Sequence, residues 1–143
     1  MSGRYISVII RHKVFVRAKG RCEYCRCSEE YSLHTFHVEH IHPFSKGGKT
    51  VLENLALACD GCNKRKTNKI LFIDPLHDKP VVIFNPRTHE WNEHFKWSKD
   101  ALQISGLTAI GRATIDCLKL NRKGVVNLRR LTMMSGEHPP KDK

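Results

Sequence analysis

The chain has 143 residues and carries 25 Lys and Arg against 14 Asp and Glu, a net charge of +11 with histidine neutral. That length suits one domain, or one small domain with an extension, and no apolar run is long enough to span a membrane. A strongly basic small protein most often meets a polyanion, of which nucleic acid is the commonest, and most of the excess charge lies in residues 1–69.

In chain order, the N-terminal stretch shows only a short apolar run before charge returns. No secretory signal is read there, and a cytoplasmic location is expected. "VIIRHKVFVRAKGRC" predicts a helix that Gly20 ends. "FHVEHIHP" predicts a strand, "FSKGGKTVLE" a loop turned by Gly47 and Gly48, and "NLALAC" a second strand. "DGCNKRKTNK" predicts a short helix with Asp60 as its N-cap and its basic residues toward the C-terminus, where they suit the helix dipole. Farther on, "PVVIFNPR" and "EWNEHFKW" predict strands, the second with Trp91, Phe95 and Trp97 on one apolar face. Those aromatics suit core packing better than base stacking. Thr108 can cap a helix running to about Lys119, with Cys117 in its core face. A further helix is expected from about Arg122 to Met134, where Arg129 and Arg130 are candidate phosphate contacts. The tail "SGEHPPKDK" is expected to fray.

Six cysteines in a chain without a secretory signal argue against a disulfide framework. Cys22 with Cys25, and Cys59 with Cys62, form two C-x2-C pairs of the kind that close a four-thiolate zinc site. Buried free thiols or a redox pair are the alternatives. Redox is disfavoured because no βαβ pattern surrounds either pair. Cys27 is a spare thiol that could exchange with Cys25. The 26–58 interval exceeds the gap of an ordinary zinc ribbon, so a strand, loop and strand are inserted between the knuckles.

The stretches "RCEYC", "HVEHIHPFSKGG" and "NLALACDGCNKRK" together resemble the HNH endonuclease family in its four-cysteine, zinc-stapled branch. The resemblance covers about residues 9–69. It implies an α+β fold: a ββα-metal core stapled by one structural Zn2+ per chain. Residues 1–69 would form the nuclease core. Residues 70–143 would form a small C-terminal α/β extension of unknown role, packed on it. The family's acidic residue and histidine match Glu39 and His40, its central asparagine matches Asn54, and its helix residue matches Asn63. Glu39 stands where the family more often has aspartate.

The chemistry suits those residue types. A neutral imidazole can take a proton from water near pH 7, so His40 is the candidate general base. Glu39 and Asn63 offer hard oxygen ligands for a catalytic Mg2+ or Mn2+. Adjacent strand residues point to opposite faces, so the strand must end or twist at Glu39 and His40 for both to serve one phosphate. Asn54 is expected to pin the intervening loop through backbone hydrogen bonds. Lys64, Arg65 and Lys66 are the candidate nucleic-acid contacts, while His37 and His42 are weaker candidates as an extra ligand and a phosphate contact. The expected function is metal-dependent hydrolysis of DNA phosphodiester bonds. The alternative is a zinc-stapled nucleic-acid-binding protein without nuclease activity.

Overall fold

The computed structural model describes residues 4–141. By internal contacts the chain forms two units. The first runs to Ile70 and takes in Asn85–Arg87; the second comprises Leu71–Phe84 and the chain from Thr88 onward.

In the first unit, helix α1 (Val8–Arg17) starts at Ser7, whose hydroxyl accepts from the Ile10 N–H at 3.2 Å. It stops where Lys19 and Gly20 both take positive φ. Strands β1 (His37–His40) and β2 (Leu55–Ala58) pair antiparallel, with His37 opposite Ala58 and His40 opposite Leu55. Every residue of β2 is buried. Arg17 fixes α1 to this hairpin by donating to the carbonyls of Leu52 at 2.9 Å and Leu55 at 2.6 Å. Helix α2 (Asp60–Lys66) follows β2 directly and completes a ββα unit. Its cap differs from the expectation. The Cys59 sulfur, not the Asp60 carboxylate, accepts from the Cys62 N–H at 3.4 Å. The C-x2-C knuckle turns the chain one residue earlier, so Asp60 is already helical and its side chain pairs with Lys64 and His37.

The second unit opens on a hairpin of β3 (Leu71–Asp74) and β4 (Lys79–Val82). β3 is absent from the sequence reading, and the predicted strand over 80–87 is shorter than expected. The predicted strand over 90–97 is instead a helical turn, α3 (Trp91–His94), followed by β5 (Phe95–Trp97). Four residues apart, Trp91 and Phe95 share a side in a helical turn as well as in a strand, so the aromatic parity did not separate the two. β5 pairs with β6 (Ile104–Gly106). Helix α4 (Ala109–Leu118) is capped by Thr108, whose hydroxyl accepts from the Gly111 N–H at 3.1 Å. Gly111 allows close approach to this turn, since a Cβ there would lie 2.1 Å from the His94 carbonyl oxygen.

Helix α5 (Lys123–Met134) carries a correction. Arg129 is only 2 % exposed and donates to the carbonyls of Leu102 and Leu120 and to the Asn121 side chain. It closes loops rather than facing phosphates, whereas Arg130 is bonded to Asn127 at an exposed position. The tail is also better held than expected. His138 is buried, bonds the Ala101 carbonyl at 2.7 Å and packs edge-on against Trp97. The tail's last two residues, 142 and 143, lie outside the described residues. Cys117 is buried, as a core residue should be.

Asp74, 1 % exposed, receives two hydrogen bonds of 2.9 Å from Arg112 on α4. Arg112, with help from the Leu76 N–H, holds its carboxyl down to about 2. The unfolded chain would titrate near about 3.9. The pair therefore stabilises the fold fully above pH about 4, and this contribution is lost as pH falls toward 2. Asp74→Asn should accordingly lower the urea midpoint at pH 6. The gap to wild type should shrink as both are measured at lower pH, and a constant gap would contradict the linkage.

Candidate metal centre and catalytic cleft

Cys22, Cys25, Cys59 and Cys62 are all buried, and their sulfur atoms lie within 4.8 Å of one another. Zn–S bonds of about 2.3 Å place tetrahedral sulfurs about 3.8 Å apart, and Cys25 and Cys59 sulfurs are 3.7 Å apart. Backbone N–H groups of Cys25 and Cys62 each point at the first sulfur of their own pair at 3.4 Å. Burial pushes the Cys22 thiol up, while hydrogen bonding with Cys22 and then Cys27 pulls Cys25 down. Such crowded thiols cannot all ionise without a cation among them, which is the electrostatic case for zinc. Cys27 is half-buried with its sulfur 3.2 Å from that of Cys25, so it lies beside the cluster without belonging to it.

The residues inside the first knuckle are used. Glu23 exchanges backbone and side-chain hydrogen bonds with Leu57 of β2, both 2.9 Å, and its other carboxylate oxygen binds Arg87. Tyr24 is fully buried, and its hydroxyl donates to Glu39 Oε2.

A cleft of about 240 Å³ lies beside this centre, lined by Arg4, Glu39, His40, Phe44, Asn63 and Thr67 among others. β1 ends at His40, so two neighbours in sequence can face one cleft. The His40 Nε2 sits 2.8 Å from the Thr50 hydroxyl and its ring lies 5.7 Å from Phe44. Burial, then the positive charges of Arg4 and Lys66, lower its pKa, which favours the neutral imidazole. With Thr50 accepting from Nε2–H, the Nδ1 lone pair is the one left for a proton.

Glu39 is 7 % exposed. Burial raises its pKa, against the opposing pull of Lys66 and Tyr24. Its Oε1 lies 3.1 Å from Lys66 Nζ. Asn63 lines the cleft from the middle of α2. In donor type, Glu39 and Asn63 suit a hard divalent cation.

Asn54 sits at the loop's far end. Its amide donates to the carbonyls of His42 at 3.0 Å and Lys49 at 2.9 Å, and its oxygen accepts from the His42 N–H at 2.8 Å. Gly48 is required by the same closure, since a Cβ there would meet the His42 carbonyl oxygen at 1.8 Å. His42 is spent on the loop, its Nε2 on the Lys46 carbonyl at 2.9 Å, and His37 pairs with Asp60 at 3.0 Å. Neither lines the cleft. Of the three basic residues on α2, Lys64 and Arg65 are exposed. Lys66 departs from its expected place: at 2 % exposure it points inward to Glu39. Tyr24, Thr50 and Arg4 are absent from the sequence reading. An aromatic residue inside a knuckle and a lysine one helical turn after Asn63 were the available signals for Tyr24 and Lys66; nothing local marks Arg4.

A ββα hairpin-and-helix whose four clustered thiols could hold a metal brings a histidine, a carboxylate and an amide to one cleft. Residues 22–69, about a third of the chain, match the family model described as HNH endonuclease. No curated protein and no solved structure matches the chain. No helix among the described residues is long and apolar enough to cross a membrane.

Cys62→Ser should lose about one zinc per chain by elemental analysis. It should also lose most of the cooperative unfolding of the first unit, because metal binding and folding are coupled in such sites. A fully folded, zinc-free wild type would contradict the staple.

Proposed function

We propose that the protein is a metal-dependent HNH endonuclease that hydrolyses DNA phosphodiester bonds, with His40 as general base. The observation that carries this reading is the convergence of Glu39, His40 and Asn63 on one cleft. Water beside the scissile phosphate loses its proton to His40 Nδ1 as its oxygen attacks phosphorus and the bond to the 3′ oxygen breaks. Thr50 holds the imidazole's other nitrogen and so orients the ring; with its hydroxyl accepting there, the Nδ1 lone pair is the one that takes the proton. A Mg2+ or Mn2+ held by Glu39 and Asn63 would polarise the phosphate and offset charge on the leaving oxygen. The Arg4 guanidinium, 5.1 Å above the Phe44 ring, stands at the rim with donors suited to a phosphate. Asn54 acts through the loop and does not meet substrate.

Lys64 and Arg65, exposed on α2, supply the expected phosphate contacts. Lys66 does not, because its ammonium is buried. The alternative, a zinc-stapled nucleic-acid-binding protein without nuclease activity, has the same basic surface and differs only in the chemical step.

Plasmid digestion with Mg2+, Mn2+ or EDTA separates the two. Wild type should cut with a divalent cation and not with EDTA. His40→Ala should slow cleavage by about 10²–10⁴-fold while keeping zinc and DNA affinity. DNA binding without cutting under any divalent cation leaves the binding-protein reading standing, and a His40→Ala variant as fast as wild type removes His40 as base.

Lys64→Ala with Arg65→Ala should do the reverse. Binding should weaken, and the slope of log affinity against log salt should fall by up to about 2. The rate at saturating DNA should survive. An unchanged salt slope would move the phosphate contacts elsewhere.

A further inference from the structure

The proposed nuclease cleft contains a carboxylate whose charge is already answered. Lys66 Nζ lies 3.1 Å from Glu39 Oε1, 3.0 Å from the Ile41 carbonyl oxygen and 3.5 Å from that of His40. Its side chain is 2 % exposed. The other carboxylate oxygen accepts from Tyr24. A buried ammonium is tolerated only with such a partner, and the buried carboxylate likewise.

The rest of the lining adds no negative charge. Asn63 and Thr67 are uncharged, and Arg4 is a cation at the rim. Among the lining residues Glu39 is the one acid. Hard divalent cations take their affinity from carboxylate charge. A cation on Glu39 would also stand within a few ångströms of the Lys66 ammonium, in surroundings that screen poorly.

We infer that Lys66 is a built-in counter-ion to Glu39 that keeps the free protein's affinity for a divalent cation low. The cation is held firmly only when a nucleic-acid phosphate brings further negative charge into the cleft. This rests on the proposed role of Glu39 and Asn63 as cation ligands. It makes Lys66 a positioning residue that acts through Glu39. A merely structural tie between α2 and β1 predicts the opposite sign, since loosening Glu39 would weaken cation binding.

Mn2+ binding to the zinc-loaded, DNA-free full chain, read by electron paramagnetic resonance, tests the inference. Lys66→Met should bind Mn2+ about tenfold tighter than wild type or better, and Lys66→Arg, which keeps the charge, should stay as weak as wild type. Zinc content and circular dichroism check each variant. If Lys66→Met does not fold, Lys66→Gln, which can still donate to Glu39, carries the same expectation. Wild type alone gives a further reading: the 15N signal of the Lys66 ammonium should shift on Mg2+ saturation. Equal or weaker Mn2+ binding by the neutral variants, or an unmoved ammonium signal at saturation, overturns the counter-ion role and leaves the nuclease reading intact. No Mn2+ binding by wild type or any variant overturns the cation site itself, and the inference with it.

Discussion

The four-cysteine cluster is the constraint on which the first unit depends. Two knuckles separated by residues 26–58 meet at one point. Between them lie a hairpin of four-residue strands and a seven-residue helix, too little core to hold a cleft alone. Each knuckle carries a cleft residue or its support. Tyr24 sits between Cys22 and Cys25 and fixes Glu39; Asn63 follows Cys62 directly. A metal at this point would therefore set the distance between the acid and the amide, although it would touch neither.

His40 is held differently. Its partner Thr50 belongs to the loop between the strands, and that loop is closed by Asn54, His42 and the close approach at Gly48. The ligands of the proposed cation depend on the knuckles, and the proposed base depends on the loop. Damage to one support need not damage the other. A substitution at Asn54 and one at Cys59 would both abolish the proposed cleavage, yet the first should leave the proposed zinc in place.

Much of this was legible in the sequence because it rests on spacing. Paired C-x2-C motifs, the Glu39-His40 step and the loop between two apolar runs are local patterns with few alternative readings. The cap of α2 was misread because Cys59 and Asp60 are adjacent and both can accept a hydrogen bond; the knuckle decided between them. Lys66 was misread because a run of three basic residues carries no mark of which one turns inward. Its direction follows from the helical position one turn after Asn63 and from the acid waiting there. β3 was missed because "LFID" is short and two of its apolar residues, Leu71 and Ile73, stay largely exposed. Burial patterning has little to report on such a strand.

The charge of the chain is also a poorer guide to the proposed nucleic-acid surface than its size suggests. Arg17 closes on the carbonyls of Leu52 and Leu55, and Lys66 on that of Ile41. In the second unit Arg112 is taken by Asp74, and Arg129 by the carbonyls of Leu102 and Leu120. Arg112 answers a buried carboxylate, and the other three serve as long, multiply donating side chains that satisfy carbonyls at strand ends and loops, where short elements leave many acceptors unpaired. A small fold with short strands has that need throughout. The basic composition is then partly a consequence of architecture. The exposed remainder, Lys64 and Arg65 among it, is what a phosphate backbone would meet.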